Sequence, residues 1–118
     1  MTEPNCVFCK RIANGEYDDR FADHVWFEPL NPVVEGHKLI VPVEHAANLN
    51  DGLLKRVDQI GYALRYFTND TIEYNLITSK GSNATQTIQH LHFHVVPRRE
   101  GDGLLLPWTN QLNERNRE

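Results

Sequence analysis

The sequence predicts an α+β fold built on an antiparallel sheet. Three observations predict it. Five short segments rich in β-branched and aromatic residues are bounded by turn residues, one longer segment has helical periodicity, and the two kinds do not alternate as βαβ units require. The 118 residues amount to about one domain. With 40% apolar and 24% charged residues, the composition is that of a globular chain rather than a disordered one.

The elements follow in order. Cys6 to Ala13 reads as a knuckle leading into a short helical turn, ended at Asn14-Gly15, where both residues tolerate the left-handed conformation. Arg20 to Pro29 carries Phe21, Val25, Trp26 and Phe27 and reads as one or two strands bent at Asp23-His24. Asn31-Pro32 through Glu35-Gly36 is turn chemistry. His37 to Val43 is a short, nearly continuous apolar run, expected as a strand buried on both faces, with Pro42 at an edge or at its close. Leu53, Val57, Ile60, Leu64 and Phe67 then form one apolar helical stripe, capped by Asn50 or Asp51 and serving either the core or a dimer seam. Ile72 to Thr78 is a strand. Ser79 to Thr87 is a polar loop with Gly81 at its bend, and Leu91 to Val96 is the last strand, closed by Pro97. Residues 101–118 form a tail beyond a core of about 1–100.

Composition narrows the function. A formal charge of −4 disfavours a broad basic face for nucleic acid. No apolar run approaches the roughly 20 residues of a membrane span, and Met1 to Asn5 shows no secretory pattern. Two cysteines cannot frame a secreted disulfide scaffold. The expectation is a small cytoplasmic protein that acts on a small molecule.

Six histidines stand out, three of them within Gln89-His90-Leu91-His92-Phe93-His94-Val95-Val96-Pro97. On a strand, His90, His92 and His94 share one face while Leu91, Phe93 and Val95 share the other. The apolar face belongs to the core, so the histidine face is expected to line a surface or cleft. Imidazoles spaced roughly 6.5–7 Å apart are too far from one another to share one metal easily, and suit separate tasks along one polar ligand. A solvent-facing alternation and a metal site on this strand are the competing readings.

This stretch resembles the signature of the histidine triad (HIT) family. So do Phe27-Glu28-Pro29-Leu30-Asn31-Pro32, Gly36-His37-Lys38-Leu39-Ile40-Val41-Pro42 and Glu44-His45. Gly81 through Thr87 resembles the family's phosphate loop. The likeness covers nearly all of the first hundred residues, in order. It implies a HIT-like α+β fold over 1–118, a five-stranded antiparallel sheet with two helices, usually as a homodimer.

The resemblance also implies an enzyme, a nucleotidyl hydrolase or transferase acting at the α-phosphorus of a purine nucleotide, of phosphoramidase or dinucleoside polyphosphate hydrolase type. In the family the middle histidine is the nucleophile, which implies that His92 would form a His-NMP intermediate; a neutral imidazole suits the role because it attacks phosphorus without first losing a proton. Its other ring nitrogen would be held as a donor by a backbone carbonyl. His94 would contact the phosphate and help protonate the leaving group, Thr87 and Gln86 would donate to phosphoryl oxygens, and His37 would stand behind the triad as a partner. Phe27 and Leu30 would sandwich the base. Relatives carry an Asp for ribose where this chain has Pro29, an Asn where it has Ser79 and a Gly where it has Thr85. Asn31 would reach ribose instead. These departures motivate an alternative, a nucleotide-binding or sensing module with vestigial catalysis. Trp108 would fold over the site or anchor the tail. His24 has no matching role and is expected to be exposed.

Cys6-Val-Phe-Cys9 has the spacing of a metal knuckle and also of a redox pair. The resemblance implies two further ligands, His45 and His90, closing a structural Cys₂His₂ zinc site that orients the triad strand. A metallohydrolase using the histidine strand directly is the weaker rival.

Overall fold

The computed structural model describes residues 3–109. The rest of the predicted tail, residues 110–118, lies outside the described residues. Five strands, β1 (Asp19–Phe21), β2 (His24–Phe27), β3 (Lys38–Pro42), β4 (Tyr74–Ile77) and β5 (Phe93–Pro97), form one sheet in the order β1-β2-β3-β5-β4. Every pairing is antiparallel. Two helices, α1 (Val7–Ala13) and α2 (Leu53–Phe67), complete the predicted α+β architecture.

The sheet is covered on both faces, as the continuous apolar run of β3 requires. On one face Ile40, Phe93 and Val95 join Leu91 and Ala46 beneath Ile60, Ala63 and Phe67 of α2. On the other, Val25, Phe27, Leu39 and Val41 pack with Phe8 of α1. Pro42 ends β3, a central strand, so its missing N–H falls where the ladder stops.

Three sequence expectations shift here. The inward stripe of α2 is Arg56, Ile60, Ala63 and Phe67, while Leu53 and Val57 are exposed. The helix is rotated because Arg56 finds partners inside: Nη2 donates to Glu44 Oε1 at 2.7 Å, Nη1 to Gln59 Oε1 at 3.3 Å and Nε to the Asp51 carbonyl at 3.3 Å. The helix N-cap is Gly52, at φ 77°, without a side-chain cap. The Asp51 carboxylate instead accepts the Ala47 N–H at 3.1 Å. His24 is buried, not exposed, and burial lowers its pKa to about 4.

Ser79 to Thr87 is a loop wound around a 3₁₀ turn, Ser82–Ala84. Gly81 (φ 93°) and Thr85 (φ 67°) both take positive φ. For Thr this is unusual, because a β-branched side chain crowds the following carbonyl there. The site face of β5 looks onto α1 and this loop. No helix among the described residues is long and apolar enough to cross a membrane.

Candidate functional site

The alternation read from the triad stretch divides its residues as expected, with Leu91, Phe93 and Val95 in the core beneath α2. The strand proper begins only at Phe93, so His90 and His92 sit on the chain leading into it. The histidine face does not line a cleft throughout. His90 is fully buried, while His92 and His94 are half-buried and line a cleft of about 390 Å³. That volume is within the range of small-molecule sites. His37, Leu39, Phe8, Arg11, Phe27, Pro29, Leu30, Asn31, Thr85 and Thr87 also line it.

Three backbone groups fix where the ring protons are. The His92 Nδ1 lies 2.8 Å from the His90 carbonyl, which can only accept. Nδ1 therefore carries a hydrogen, and in the neutral ring Nε2 holds the lone pair. The Thr78 hydroxyl, donating to the His92 carbonyl at 2.8 Å, holds the backbone behind that ring. The backbone N–H of Val33 donates to His37 Nδ1 at 3.1 Å, so the neutral His37 carries its hydrogen on Nε2. That nitrogen is 2.9 Å from His94 Nδ1, which must accept, leaving His94 with an Nε2–H donor. Burial, with the nearby rings of His92 and His37, lowers His94 to about 4; burial also lowers His37. Both rings are thus neutral near pH 7. The His92 and His94 ring centres are 5.3 Å apart, closer than an extended strand would set them.

The third group is the Pro42 carbonyl, 2.8 Å from His90 Nε2. It leaves His90 Nδ1 bare and aimed at Cys6 Sγ (3.2 Å), Cys9 Sγ (3.5 Å) and His45 Nδ1 (3.2 Å). Cys9 Sγ is also 3.5 Å from His45 Nδ1, and the four ligand atoms lie within 4.8 Å of one another. A tetrahedral zinc with ordinary bonds to two sulfurs and two nitrogens spans edges of roughly 3.3–3.8 Å. The donor set and its spacing fit such an ion. Burial pushes the Cys9 thiol up, and a cation among these atoms would favour the thiolate. Cys6 caps α1, its Sγ accepting the Cys9 N–H at 3.3 Å, so the knuckle and the helix start are one structure.

The other expected site residues separate. Phe27, Pro29, Leu30, Asn31, Thr85 and Thr87 line the cleft. Gln86 and Ser79 do not. The Gln86 side chain is turned into the loop, accepting the Gly81 N–H at 3.0 Å and donating to the Ala47 and Ile88 carbonyls at 2.7 and 3.1 Å. It has no donor left for a phosphoryl oxygen. Trp108 is half-exposed and is not part of the lining. Sequence reasoning passed over Phe8, Arg11 and Thr78. A short helix and a lone hydroxyl carry no pattern that ties them to a histidine far along the chain.

Comparison with known proteins places these features in context. Residues 20–101 match the HIT domain family model. The chain is 32% identical to a protein named adenosine 5′-monophosphoramidase from Candida albicans, over 93% of this chain and 82% of that one. A HIT family hydrolase from Clostridium thermocellum superposes with a TM-score of 0.71 at 32% identity, over 89% of this chain and all of that one. A zinc-bound histidine triad family protein from Mycobacterium smegmatis does so with a TM-score of 0.69 at 29% identity, over 87% and 81%.

Proposed function

The chain belongs to the HIT domain family, and from that premise we propose that it is a nucleotide hydrolase or transferase working through a covalent His92-NMP intermediate. The observation that carries this reading is the His92 ring, lining the cleft and anchored at Nδ1 by the His90 carbonyl, which in the neutral ring leaves the lone pair on Nε2. With a nucleoside phosphoramidate, the Nε2 lone pair forms the bond to the α-phosphorus as the bond to the leaving nitrogen breaks, that nitrogen taking a proton from solvent water and departing as the neutral amine. The His90 carbonyl faces the positive charge that develops on the ring. Water then attacks phosphorus and gives up a proton to solvent, the bond to Nε2 breaks, and the nucleotide leaves with His92 restored.

His94 enters as a neutral Nε2–H donor. Its Nδ1 is occupied by His37, and burial holds its pKa near 4. It therefore steadies a phosphoryl oxygen or the leaving atom by a hydrogen bond rather than as a charged acid, a narrower role than the sequence suggests. Thr87 and Thr85 stand at the phosphate end, and Phe27, Pro29, Leu30 and Asn31 at the nucleoside end. Cys6, Cys9, His45 and His90 would hold a structural zinc, whose closed coordination supplies rigidity and no open position for chemistry.

The test is mass spectrometry of the protein mixed with an adenosine 5′-phosphoramidate and quenched early. A nucleotidyl adduct on His92, absent from a folded His92→Ala variant that no longer turns over, is the expected result. Turnover retained by His92→Ala refutes the proposal. Pro29, where no carboxylate meets ribose, favours a second reading, a nucleotide-binding module with weak catalysis. Tight binding with no adduct would select it.

A further inference from the structure

Arg11 of α1 lines the same cleft as His92, and the chemistry above does not use it. Its guanidinium carbon stands 4.0 Å from the centre of the Phe27 ring. Its Nε donates to the Glu16 carbonyl at 3.2 Å. These two contacts fix the plane of the fork, and the two Nη groups have no partner among the described residues. Phe8 meets both Phe27 and His92 nearly edge-on, at 5.3 Å between ring centres in each case. Phe8 thus links the His92 ring to the Phe27 ring that Arg11 covers.

A guanidinium only donates, in a rigid planar fork that matches paired acceptors. Because it already covers a face of Phe27, an entering group meets the donor edge of Arg11. Two acceptor-rich groups are conceivable there, a second phosphate or the edge of a base. Arg11 is the sole Lys, Arg, Asp or Glu among the described residues lining the cleft, and Val7, Leu30, Val33 and Leu39 also line it. One half-engaged cation in apolar walls does not offset the desolvation of a dianion. A flat heterocycle loses little there. Among purines, a 6-oxo edge presents O6 and N7, both acceptors, to the fork. A 6-amino edge sets an N–H against it.

We propose that Arg11 determines base preference by selecting 6-oxopurine nucleotides, guanine or hypoxanthine, over adenine. This rests on the nucleotide reading of the site. The experiment compares kcat/KM of the whole protein for guanosine, inosine and adenosine 5′-phosphoramidates, in wild type, Arg11→Met and Arg11→Lys. Wild type should favour guanosine and inosine alike over adenosine by about tenfold or more; Arg11→Met, with no donor, should bring the ratio to within about twofold, and Arg11→Lys, which keeps a donor but not the fork, should fall between them. The variants should still form the His92 adduct, which keeps a lost ratio distinct from a lost fold. Three results would overturn the inference: equal or preferred use of adenosine by wild type, a ratio unchanged in Arg11→Met, or a preference for guanosine that inosine does not share. Failure of all three substrates, with no His92 adduct, would overturn the nucleotide reading together with it. Hydrolysis without a base ratio would overturn the Arg11 inference alone.

Discussion

Replacing Gln86 by Ala separates two roles that a Gln beside a phosphate-binding loop can have. If its amide bound phosphate, the substitution would lower turnover and leave the fold alone. The structure assigns the side chain to the loop itself. It is 5% exposed and makes three hydrogen bonds to backbone groups, at Gly81, Ala47 and Ile88. Truncation strands two half-buried carbonyls, at about 1 kcal/mol or more each, whereas the Gly81 N–H is exposed enough to find water. The loss of the packed side chain adds to this, so Gln86→Ala should cost about 2–4 kcal/mol. Gln86→Glu should be no better, because a carboxylate can still accept from Gly81 but faces the other two carbonyls with no donor. Urea unfolding of both variants measures the cost, with kcat and KM taken on the same preparations. A Gln86→Ala protein within about 0.5 kcal/mol of wild type but with its turnover lost would refute the reasoning and return Gln86 to the substrate.

Two further predictions concern the buried histidines and the cysteine cluster. Zinc should copurify with the protein, and Cys9→Ser or a strong chelator should loosen the knuckle and end turnover together, as expected when metal binding is part of folding. Chelation that stops turnover with the unfolding midpoint unchanged would place the metal in the chemistry instead. For His24, the folded pKa of about 4 lies below the ordinary value of 6.5. The unfolded chain therefore takes up a proton in this interval that the native state refuses. The contribution is complete above about pH 6.5 and falls as pH drops toward 4, by at most about 3–4 kcal/mol. His24→Gln should flatten that part of a stability-pH curve measured by urea unfolding, and an unaltered slope would contradict it.

The sheet and the triad were legible because a strand repeats every two residues. Leu91, Phe93 and Val95 could go to the core only by sending the histidines to the opposite face. The phase of α2 was not legible. Its apolar spacing points Leu53 and Val57 inward, but Arg56 takes the inner position because Glu44, Gln59 and the Asp51 carbonyl satisfy it there. A buried cation becomes visible only once its partners, drawn from another loop, the preceding turn and the next turn of the helix, are assembled around it. His24 escaped for a related reason: a polar residue on a short strand looks exposed until the helix that covers it is in place. Arg11 and Gln86 show the limit for the site. Residue type and proximity in sequence suggested that Gln86 faces phosphate and said nothing of Arg11, whereas direction in space reverses the two.

The arrangement of ring protons explains why the proposed reaction needs so little charge in the cleft. A hydroxyl or thiol nucleophile needs a base to take its proton, and that base commonly needs a carboxylate to orient it. A neutral imidazole needs only the right tautomer, and a tautomer is set by one fixed neighbour. Here the His90 carbonyl sets His92, the Val33 N–H sets His37 and through it His94, and the Pro42 carbonyl sets His90. Each is a main-chain group whose direction follows from the course of the chain, so no acidic side chain has to line the cleft. The same logic ties the cysteine cluster to His92, the proposed nucleophile. The residue whose carbonyl holds the His92 ring is the one whose own ring is pinned between Pro42 and the two cysteines. Anchoring the ring of His90 therefore limits the swing of its carbonyl, and with it the aim of the lone pair on His92.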